Sequence, residues 1–188
     1  KKVIVTGASK GIGLAIANEF AKEGASVSIC ARGRVSLESA RELIAGNGGN
    51  VYADICDVSD KKNLIKYIEN AVQTLGGLNI LVNNPSGFGR SDDEDGWQVG
   101  LDVDLMALVR ASWTAVPFIE KSGGGAIIHT SSISGLTSSL RTPPYGAVKA
   151  AVIQYTKTQA LQLDSKNISV NCIEPGSIDF PGGTWDDA

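Results

Sequence analysis

A short apolar segment followed at once by a glycine-rich turn and a helical pattern opens the chain. Residues 3–5 form the apolar segment, and apolar side chains recur at helical spacing within 14–21. Between them stand Gly7, Gly11 and Gly13, in the spacing G-x-x-x-G-x-G. Glycines at such a point let the backbone turn tightly and approach a pyrophosphate, which binds the N–H groups at the helix start. The segment predicts a dinucleotide-binding βα unit, although the same turn could join a strand to a helix and bind nothing.

Strand-like and helical patterns alternate along the whole chain. Strands are expected at about 2–6, 26–31, 50–55, 78–83, 125–130 and 167–173, and helices at about 12–24, 36–46, 60–75, 97–120 and 146–164. The strand segments are continuously apolar, which is typical of parallel strands buried on both faces. The alternation therefore predicts an α/β fold, a Rossmann-type doubly wound parallel sheet in a three-layer αβα arrangement.

Length and composition favour one domain without a nucleic-acid or membrane partner. The 188 residues suit a single domain, expected to span 1–188, and a net charge of −3 gives no electrostatic case for nucleic acid or an anionic membrane. No apolar run approaches the roughly 18 residues of a spanning helix, and no signal peptide is visible. The three cysteines are widely spaced and favour a reducing compartment, so we expect a cytoplasmic protein. The chain starts at Lys1 and stops in a loop-like segment, so we expect a C-terminal lid and last strand to be missing.

Tyr145 and Lys149 stand four residues apart in a helical pattern, which puts them on one face of the helix. An ammonium beside a phenol stabilises the phenolate, so such a tyrosine can exchange a proton with a carbonyl or an alcohol. The spacing alone is also typical of a half-buried ring beside a solvated lysine, and only the rest of the sequence decides between the two.

Taken together, these motifs resemble the classical short-chain dehydrogenase/reductase family over nearly the whole chain, with the 3-oxoacyl-[acyl-carrier-protein] reductase-like enzymes as the nearest group. The resemblance implies an NAD(P)-binding Rossmann domain. It also implies a set of cofactor-binding residues: Gly7, Ser9, Lys10, Gly11, Ile12, Gly13, Arg32, Asp57, Val58, Asn83, Tyr145, Lys149, Pro175, Gly176 and Ile178. Asp57 would meet the adenine amino group, unless it is a solvated loop residue. After Asn83 and Asn84 the chain departs from the family pattern, with extra residues before Gly87 that reshape the rim.

The same resemblance implies the catalytic residues Ser132, Tyr145, Lys149 and Asp104. Tyr145 would protonate the developing alkoxide, Ser132 would hold the substrate oxygen, and Lys149 would prime the tyrosine and bind the nicotinamide ribose. Asp104 stands where the family has an asparagine, and an ionised carboxylate can only accept hydrogen bonds. The family's proton relay from the lysine to solvent is therefore in doubt. Phe180 similarly replaces a threonine that contacts the nicotinamide amide.

The end of the second strand bears on cofactor choice. Ala31 stands where an acidic residue would favour NAD, Arg32 follows it, and Lys10 lies in the glycine turn. Two cations suit a 2′-phosphate, which favours NADP(H) over NAD(H). The alternative is that Arg32 and Arg34 are ordinary loop charges.

The chain is therefore predicted to be an NADP(H)-dependent oxidoreductase that interconverts a ketone and a secondary alcohol. A non-catalytic nucleotide-binding or scaffold protein is the alternative. The family implies a dimer or tetramer built on the helices at about 97–120 and 146–164, for which Leu101, Leu105, Leu108 and Val109 are candidate contacts. No metal site is expected, and His129 is interpreted as a packed, hydrogen-bonded side chain.

Overall fold

Six strands form one parallel sheet in the computed structural model, which describes residues 1–180. The strands are β1 (Lys2–Thr6), β2 (Ser26–Ala31), β3 (Asn50–Ile55), β4 (Ile80–Asn83), β5 (Gly125–Thr130) and β6 (Ile168–Ile173). The α-helices are α1 (Gly11–Lys22), α2 (Arg34–Gly46), α3 (Lys61–Leu75), α4 (Glu94–Val99), α5 (Ala107–Lys121) and α6 (Pro143–Leu163). A π-helix spans Gly100–Met106, and single 3₁₀ turns span Ile133–Gly135 and Asp164–Lys166.

The strand order is β3-β2-β1-β4-β5-β6, so the chain winds outward in one direction from β1 and then in the other from β4. Thr6, the last residue of β1, is in register with Cys30 of β2 on one side and with Asn83 of β4 on the other. In such sheets the crevice at the carboxyl ends of the two central strands is the usual ligand site. The order confirms the predicted doubly wound α/β fold.

Helices cover both faces of the sheet, because every central strand is apolar on both sides. Within β1, Ile4 packs into a core cluster with α3 and α5, whereas Val3 and Val5 pack into a second cluster with α1 and α2. All three side chains are fully buried. Burial of one such side chain stabilises the fold by roughly 1.5–3 kcal/mol, so this strand anchors both layers.

The long middle helix differs from the expectation of one regular helix over about 97–120. It begins at Glu94, because the side chain of Asp93 caps the helix by accepting a hydrogen bond from the N–H of Gly96 (2.8 Å). A full π-helix then interrupts it over Gly100–Met106 before α5 begins. Hydrophobic spacing cannot distinguish a π-turn from an α-turn, so the sequence analysis was wrong on this point.

Two of the expected subunit-contact residues lie inside the chain. Leu108 is 4% exposed and Val109 is 8% exposed, and both pack against Val152 of α6. On α5 it is Trp113, 63% exposed, that presents a large apolar side chain outward. None of the helices in residues 1–180 is both long and apolar enough to cross a membrane.

Candidate active site

A cleft with a volume of about 500 Å³ opens at the carboxyl ends of β1, β2 and β4. It contains most of the residues predicted to hold a cofactor: Gly7, Ser9, Lys10, Gly11, Ile12, Arg32, Asp57, Val58, Tyr145, Gly176 and Ile178. Gly13, Asn83, Lys149 and Pro175 are the predicted residues that do not line it. The structure thus brings together the glycine turn after β1, Tyr145 and the segment after β6.

The glycine turn has the geometry that an approaching pyrophosphate needs. Gly7 and Gly11 adopt the left-handed φ values of +66° and +57°, which other residues seldom adopt. Gly13 is buried beneath the turn, where an added Cβ would lie 2.5 Å from the carbonyl oxygen of Gly7. The residue before α1 makes no capping hydrogen bond with its side chain, so the first-turn N–H groups of this helix are available to an anion. These features fit a dinucleotide.

The ring of Phe180 lies on this turn. An added Cβ on Gly11 would lie 2.7 Å from Cζ of Phe180, so the ring packs directly against the glycine backbone. The sequence placed Phe180 where the family has a threonine that contacts the nicotinamide amide, and it predicted no position for the phenyl ring. In the structure the ring covers the phosphate-binding end of the cleft.

The two asparagines at the carboxyl end of β4 direct their side chains to different places. The side chain of Asn83 faces the core, with Nδ2 3.2 Å from Nδ1 of His129 and 3.4 Å from Oγ of Ser112. Asn84 lines the cleft and donates to the carbonyl oxygen of Gly7 (2.9 Å). The expectation that the Asn83 side chain faces the cofactor is therefore corrected in favour of Asn84. When both faces of a strand are buried, its sequence does not show which residues point to which face of the sheet.

Asp57 lines the cleft near Arg32, and its carboxylate is held in the ionised form. It accepts hydrogen bonds from Oγ of Ser59 (2.7 Å) and from the backbone N–H of Ser59 (3.0 Å). These bonds, helped by the nearby Arg32 cation, hold the pKa of Asp57 below its usual range. Arg32 is exposed and lines the same end of the cleft.

Tyr145 and Lys149 lie on one face of α6, as their spacing predicted. The Nζ atom of Lys149 is 5.5 Å from the centroid of the Tyr145 ring. The Lys149 side chain is only 2% exposed, and its ammonium group donates to the carbonyl oxygen of Thr130 (2.8 Å). The alternative of a solvated lysine beside a tyrosine therefore does not apply to this pair.

Asp104 supplies the counter-charge of this buried lysine. Its Oδ1 atom is 3.0 Å from Nζ of Lys149, and its side chain is fully buried. Its Oδ2 atom accepts a hydrogen bond from the N–H of Gly87 (2.8 Å). One carboxylate in the π-helix thus ties α6 to the loop of residues 84–90, which we call the rim loop. Helices of π type are rare and often occur at functional sites.

Ser132 follows β5 by two residues and lines a second pocket, which it shares with Tyr145. Its Oγ atom accepts a hydrogen bond from the N–H of Ser134 (3.1 Å), so the hydroxyl hydrogen is available for another acceptor. Ser131 has a structural role, because its hydroxyl donates to the carbonyl oxygen of Lys149 (2.8 Å) and fixes α6 to the end of β5.

The sequence analysis missed Phe88, which stands between the cleft and the second pocket and lines both. Its ring meets Tyr145 edge to face, with 4.9 Å between the centroids, and the guanidinium of Arg90 lies 4.9 Å above the Phe88 ring. The only signal in the sequence was the departure from the family pattern after Asn84, which located the change without showing which side chain fills the space.

His129 is the packed histidine that the sequence analysis described. It is fully buried, with Nε2 2.9 Å from Oε1 of Gln159, and burial lowers its pKa to about 4. The ring is therefore neutral, with Nε2–H donating to Gln159 and Nδ1 accepting from Asn83. In residues 1–180 no three His, Cys, Asp or Glu side chains are close enough together to hold a metal ion.

A glycine turn at the switch point of a doubly wound sheet, next to a tyrosine beside a buried lysine, is the arrangement typical of a nucleotide-dependent α/β oxidoreductase. The model of the short chain dehydrogenase family matches residues 1–184. The chain belongs to that family, as the sequence predicted. At the level of the family, the expected class of an NAD(P)-dependent oxidoreductase acting on CH–OH groups is confirmed.

Curated relatives include dehydrogenase/reductase SDR family member 4 from two mammals. The rabbit protein is 34% identical over 100% of this chain and 75% of its own length. The human protein is 35% identical over 95% of this chain, and the match spans 66% of the human sequence. The chain thus spans only two thirds to three quarters of the length of these relatives.

Solved structures share the fold closely. L-sorbose reductase from Gluconobacter frateurii, complexed with NADPH and L-sorbose, has a TM-score of 0.92 and 38% identity, covering 96% of this chain and 71% of that one. A 7α-hydroxysteroid dehydrogenase complexed with NADH and 7-oxo glycochenodeoxycholic acid has a TM-score of 0.90 and 31% identity, covering 94% of this chain and 70% of that one. Similar folds in this family therefore hold either nicotinamide cofactor.

Proposed function

We propose that this protein interconverts a ketone and a secondary alcohol with a nicotinamide cofactor, and that Tyr145 is its general acid and base. The observation that carries the proposal is the position of Tyr145. Its ring lines both the cleft with the glycine turn and the second pocket with Ser132, and the ammonium of Lys149 is 5.5 Å from its centroid. Proton and hydride can be exchanged with one substrate only where the two spaces meet.

The residues divide the chemistry as follows. The bound cofactor supplies or takes up the hydride at its nicotinamide ring. In the reductive direction Tyr145 donates its proton to the developing alkoxide, and Lys149 stabilises the phenolate that remains. Ser132 donates its free hydroxyl hydrogen to the same substrate oxygen and holds it at the tyrosine. Gly176 and the neighbouring Pro175 close the space behind the nicotinamide with backbone.

Asp104 stands in place of the family's asparagine and makes different contacts. An amide could relay a proton because it donates and accepts, whereas this carboxylate forms an ion pair with Lys149 and accepts a hydrogen bond from the N–H of Gly87. In this chain Asp104 therefore holds the lysine beside the tyrosine and fixes the rim loop. Proton exchange with solvent then uses a route other than a relay through residue 104.

We further propose a preference for NADP(H). Arg32 and Lys10 are both exposed and line the adenine end of the cleft, and Ala31 leaves no carboxylate at the end of β2 to accept from a ribose hydroxyl. A 2′-phosphate gains charge-assisted hydrogen bonds from such cations. NADPH should therefore bind at least about tenfold more tightly than NADH, and equal affinities would overturn this preference.

We propose a homo-oligomer, a dimer or tetramer, with α5 in the contact. The exposed indole of Trp113 takes the place of the buried Leu108 and Val109 as the apolar contact on this helix. The variant W113E should dissociate the oligomer in analytical ultracentrifugation, and a monomeric parent protein would refute the proposal. A cytoplasmic location stays a prediction from the sequence.

One observation favours the alternative of a non-catalytic protein of the same fold. The Phe180 ring lies against Gly11, on the turn that a cofactor would use. A protein that kept the fold as a scaffold would tolerate a permanently covered turn, whereas an enzyme must expose it in each cycle.

Turnover with a panel of ketones and NADPH separates the two functions. The variant Y145F should lower kcat by about 10²–10⁴-fold, because general acid catalysis contributes that much, and should leave NADPH binding unchanged. Y155F is the matched control, because Tyr155 lies on the same helix and its hydroxyl bonds Gln159 and Trp113 rather than lining either pocket. NADPH binding without turnover of any ketone, in parent and Y145F alike, would favour the scaffold.

A further inference from the structure

The second pocket has a chemical character of its own. It has a volume of about 490 Å³ and joins the cofactor cleft at Phe88, Tyr145 and Gly176. The residues that line only this pocket are Arg90, Ser132, Ile133, Ser134, Ser138, Ser139, Leu140, Arg141, Thr142 and Ser177. The pocket thus lies where the part of a substrate remote from its carbonyl would extend.

The charged side chains in the lining of this pocket are all positive. Arg90 and Arg141 stand on opposite segments of the pocket, and none of the lining residues is a carboxylate. Neither arginine forms an ion pair within residues 1–180, in contrast to Arg41, which pairs with Glu38 at 2.8 Å. The hydroxyl groups of the lining add further hydrogen-bond donors between the two cations.

Arg90 is held in place rather than left loose in solvent. Its guanidinium stacks on Phe88 at 4.9 Å, and Phe88 in turn meets Tyr145 at 4.9 Å. Phe88 adopts a φ of 50°, a left-handed conformation that is unusual for an aromatic residue. Strained backbone of this kind persists only where the surroundings enforce it, and here the N–H of the preceding Gly87 is bound to the buried Asp104. The cation is therefore fixed relative to the catalytic tyrosine.

Arg141 comes from the opposite side, in the segment that leads into α6. This helix has 21 residues, and its amino terminus lies at the pocket through Thr142. The positive end of the helix dipole adds to the field of the two arginines. A single anionic group between Arg90 and Arg141 would then receive charge from three directions.

We propose that the substrate carries an anionic group of the carboxylate or phosphate class, held by Arg90 and Arg141 while its carbonyl lies at Tyr145. This inference rests on the proposed function and adds the substrate class to it. Planar guanidinium groups bind such anions through paired, charge-assisted hydrogen bonds, which gives orientation as well as affinity. Orientation of the carbonyl by a remote anion would raise kcat and not only lower KM, so both changes would increase kcat/KM.

The test compares keto acids with their methyl esters in the full-length protein with saturating NADPH. Suitable pairs are para-acetylbenzoate and levulinate, each beside its methyl ester. We expect kcat/KM to be at least about tenfold higher for each acid, and to fall toward the ester value at high salt, because screening weakens exposed charge pairs. In the double variant R90Q/R141Q the ratio of acid to ester should fall to about one. The variant R41Q, on the far surface, should keep the parent ratio, and NADPH affinity should be the same in all three proteins.

The outcomes separate the two proposals. Acids and esters turned over equally by the parent would overturn the anion site and leave the oxidoreductase function standing. A preference for acids that survives in R90Q/R141Q would also overturn it, because other residues would then bind the anion. Absence of turnover for every acid and ester, with NADPH bound, would overturn the proposed function and this inference with it.

Discussion

Substitution of Asp104 by asparagine should destabilise this protein although most of the family is expected to carry asparagine there. In the structure Oδ1 faces Nζ of Lys149 at 3.0 Å and Oδ2 faces the N–H of Gly87 at 2.8 Å. An amide has one oxygen, so it can accept from only one of these donors and must turn its NH₂ group toward the other. The variant therefore sets the NH₂ group of the amide against another donor and leaves a buried ammonium without its counter-charge.

The magnitude follows from the burial of the pair. Removal of one partner of a buried ion pair costs about 3–5 kcal/mol, and the retained amide contact places D104N near the lower end, at about 3 kcal/mol. For a domain of this size each kcal/mol lowers the melting temperature by about 2–4 °C, so a decrease of about 6–12 °C is expected. The catalytic rate should fall as well, because the lysine and the rim loop lose their common anchor.

The assay is urea unfolding of D104N beside the matched variant D102N. Asp102 lies two residues earlier in the π-helix, and within the described part of the chain its carboxylate accepts only from Gln98 (2.7 Å) at the surface. D102N should therefore change the free energy of unfolding by less than about 0.5 kcal/mol. If D104N unfolds at the same urea concentration as D102N, the carboxylate does not have the anchoring role argued from its two contacts.

Three further predictions concern the cofactor and the core. The variant R32A should weaken NADPH binding about 10–100-fold and change NADH binding less than about twofold in a fluorescence titration, because only a 2′-phosphate loses a charge-assisted contact; parallel losses for both cofactors would contradict this. The variant F180A should bind either cofactor several-fold more tightly by calorimetry, because the ring no longer has to leave Gly11 first, and unchanged or weaker binding would show that the ring is no obstacle. His129 stays neutral in the folded protein down to about pH 4, whereas the unfolded chain takes up the proton near 6.5. The contribution of His129 to the free energy of unfolding should therefore be complete above pH 6.5. The free energy of unfolding should fall by up to about 3 kcal/mol as the pH drops toward 4. H129Q removes this titration, so equal pH slopes in the two proteins would refute the assignment.

The fold could be predicted because its signals are local and repeated. The strand segments are rich in apolar residues and most helices show the spacing of an apolar face, so the order of elements and the doubly wound class follow from neighbours in sequence. The bounds differ by up to three residues, as at α6, which begins at Pro143 rather than 146. A proline fits the first turn of a helix because its missing N–H has no partner there, and this signal was not used.

The site could be predicted only where its parts lie on one element or match a motif. Tyr145 and Lys149 share a helix face, so their pairing was accessible from spacing. The contacts of Asp104 were not, because they join residues 17 and 45 positions away through space, and no spacing rule reports such pairs. Arg90 and Arg141 were missed for the same reason, since only the fold brings their two segments to one pocket.

Two of the departures from the family pattern, the extra residues after Asn84 and the aspartate at 104, depend on each other. The extra residues after Asn84 bring the N–H of Gly87 to the middle helix, where it needs an acceptor in a buried place. An asparagine could serve that N–H only by abandoning Lys149, so a lengthened rim loop requires a group with two acceptor oxygens at residue 104. The same loop carries Phe88 to Tyr145 and Arg90 onto the Phe88 ring. Asp104 therefore links the shape of the substrate pocket to the position of the lysine, and a shortened rim loop should make asparagine tolerable again at 104. In a double-mutant cycle the loss of stability in D104N should be smaller in the shortened-loop background, and purely additive losses would contradict the coupling.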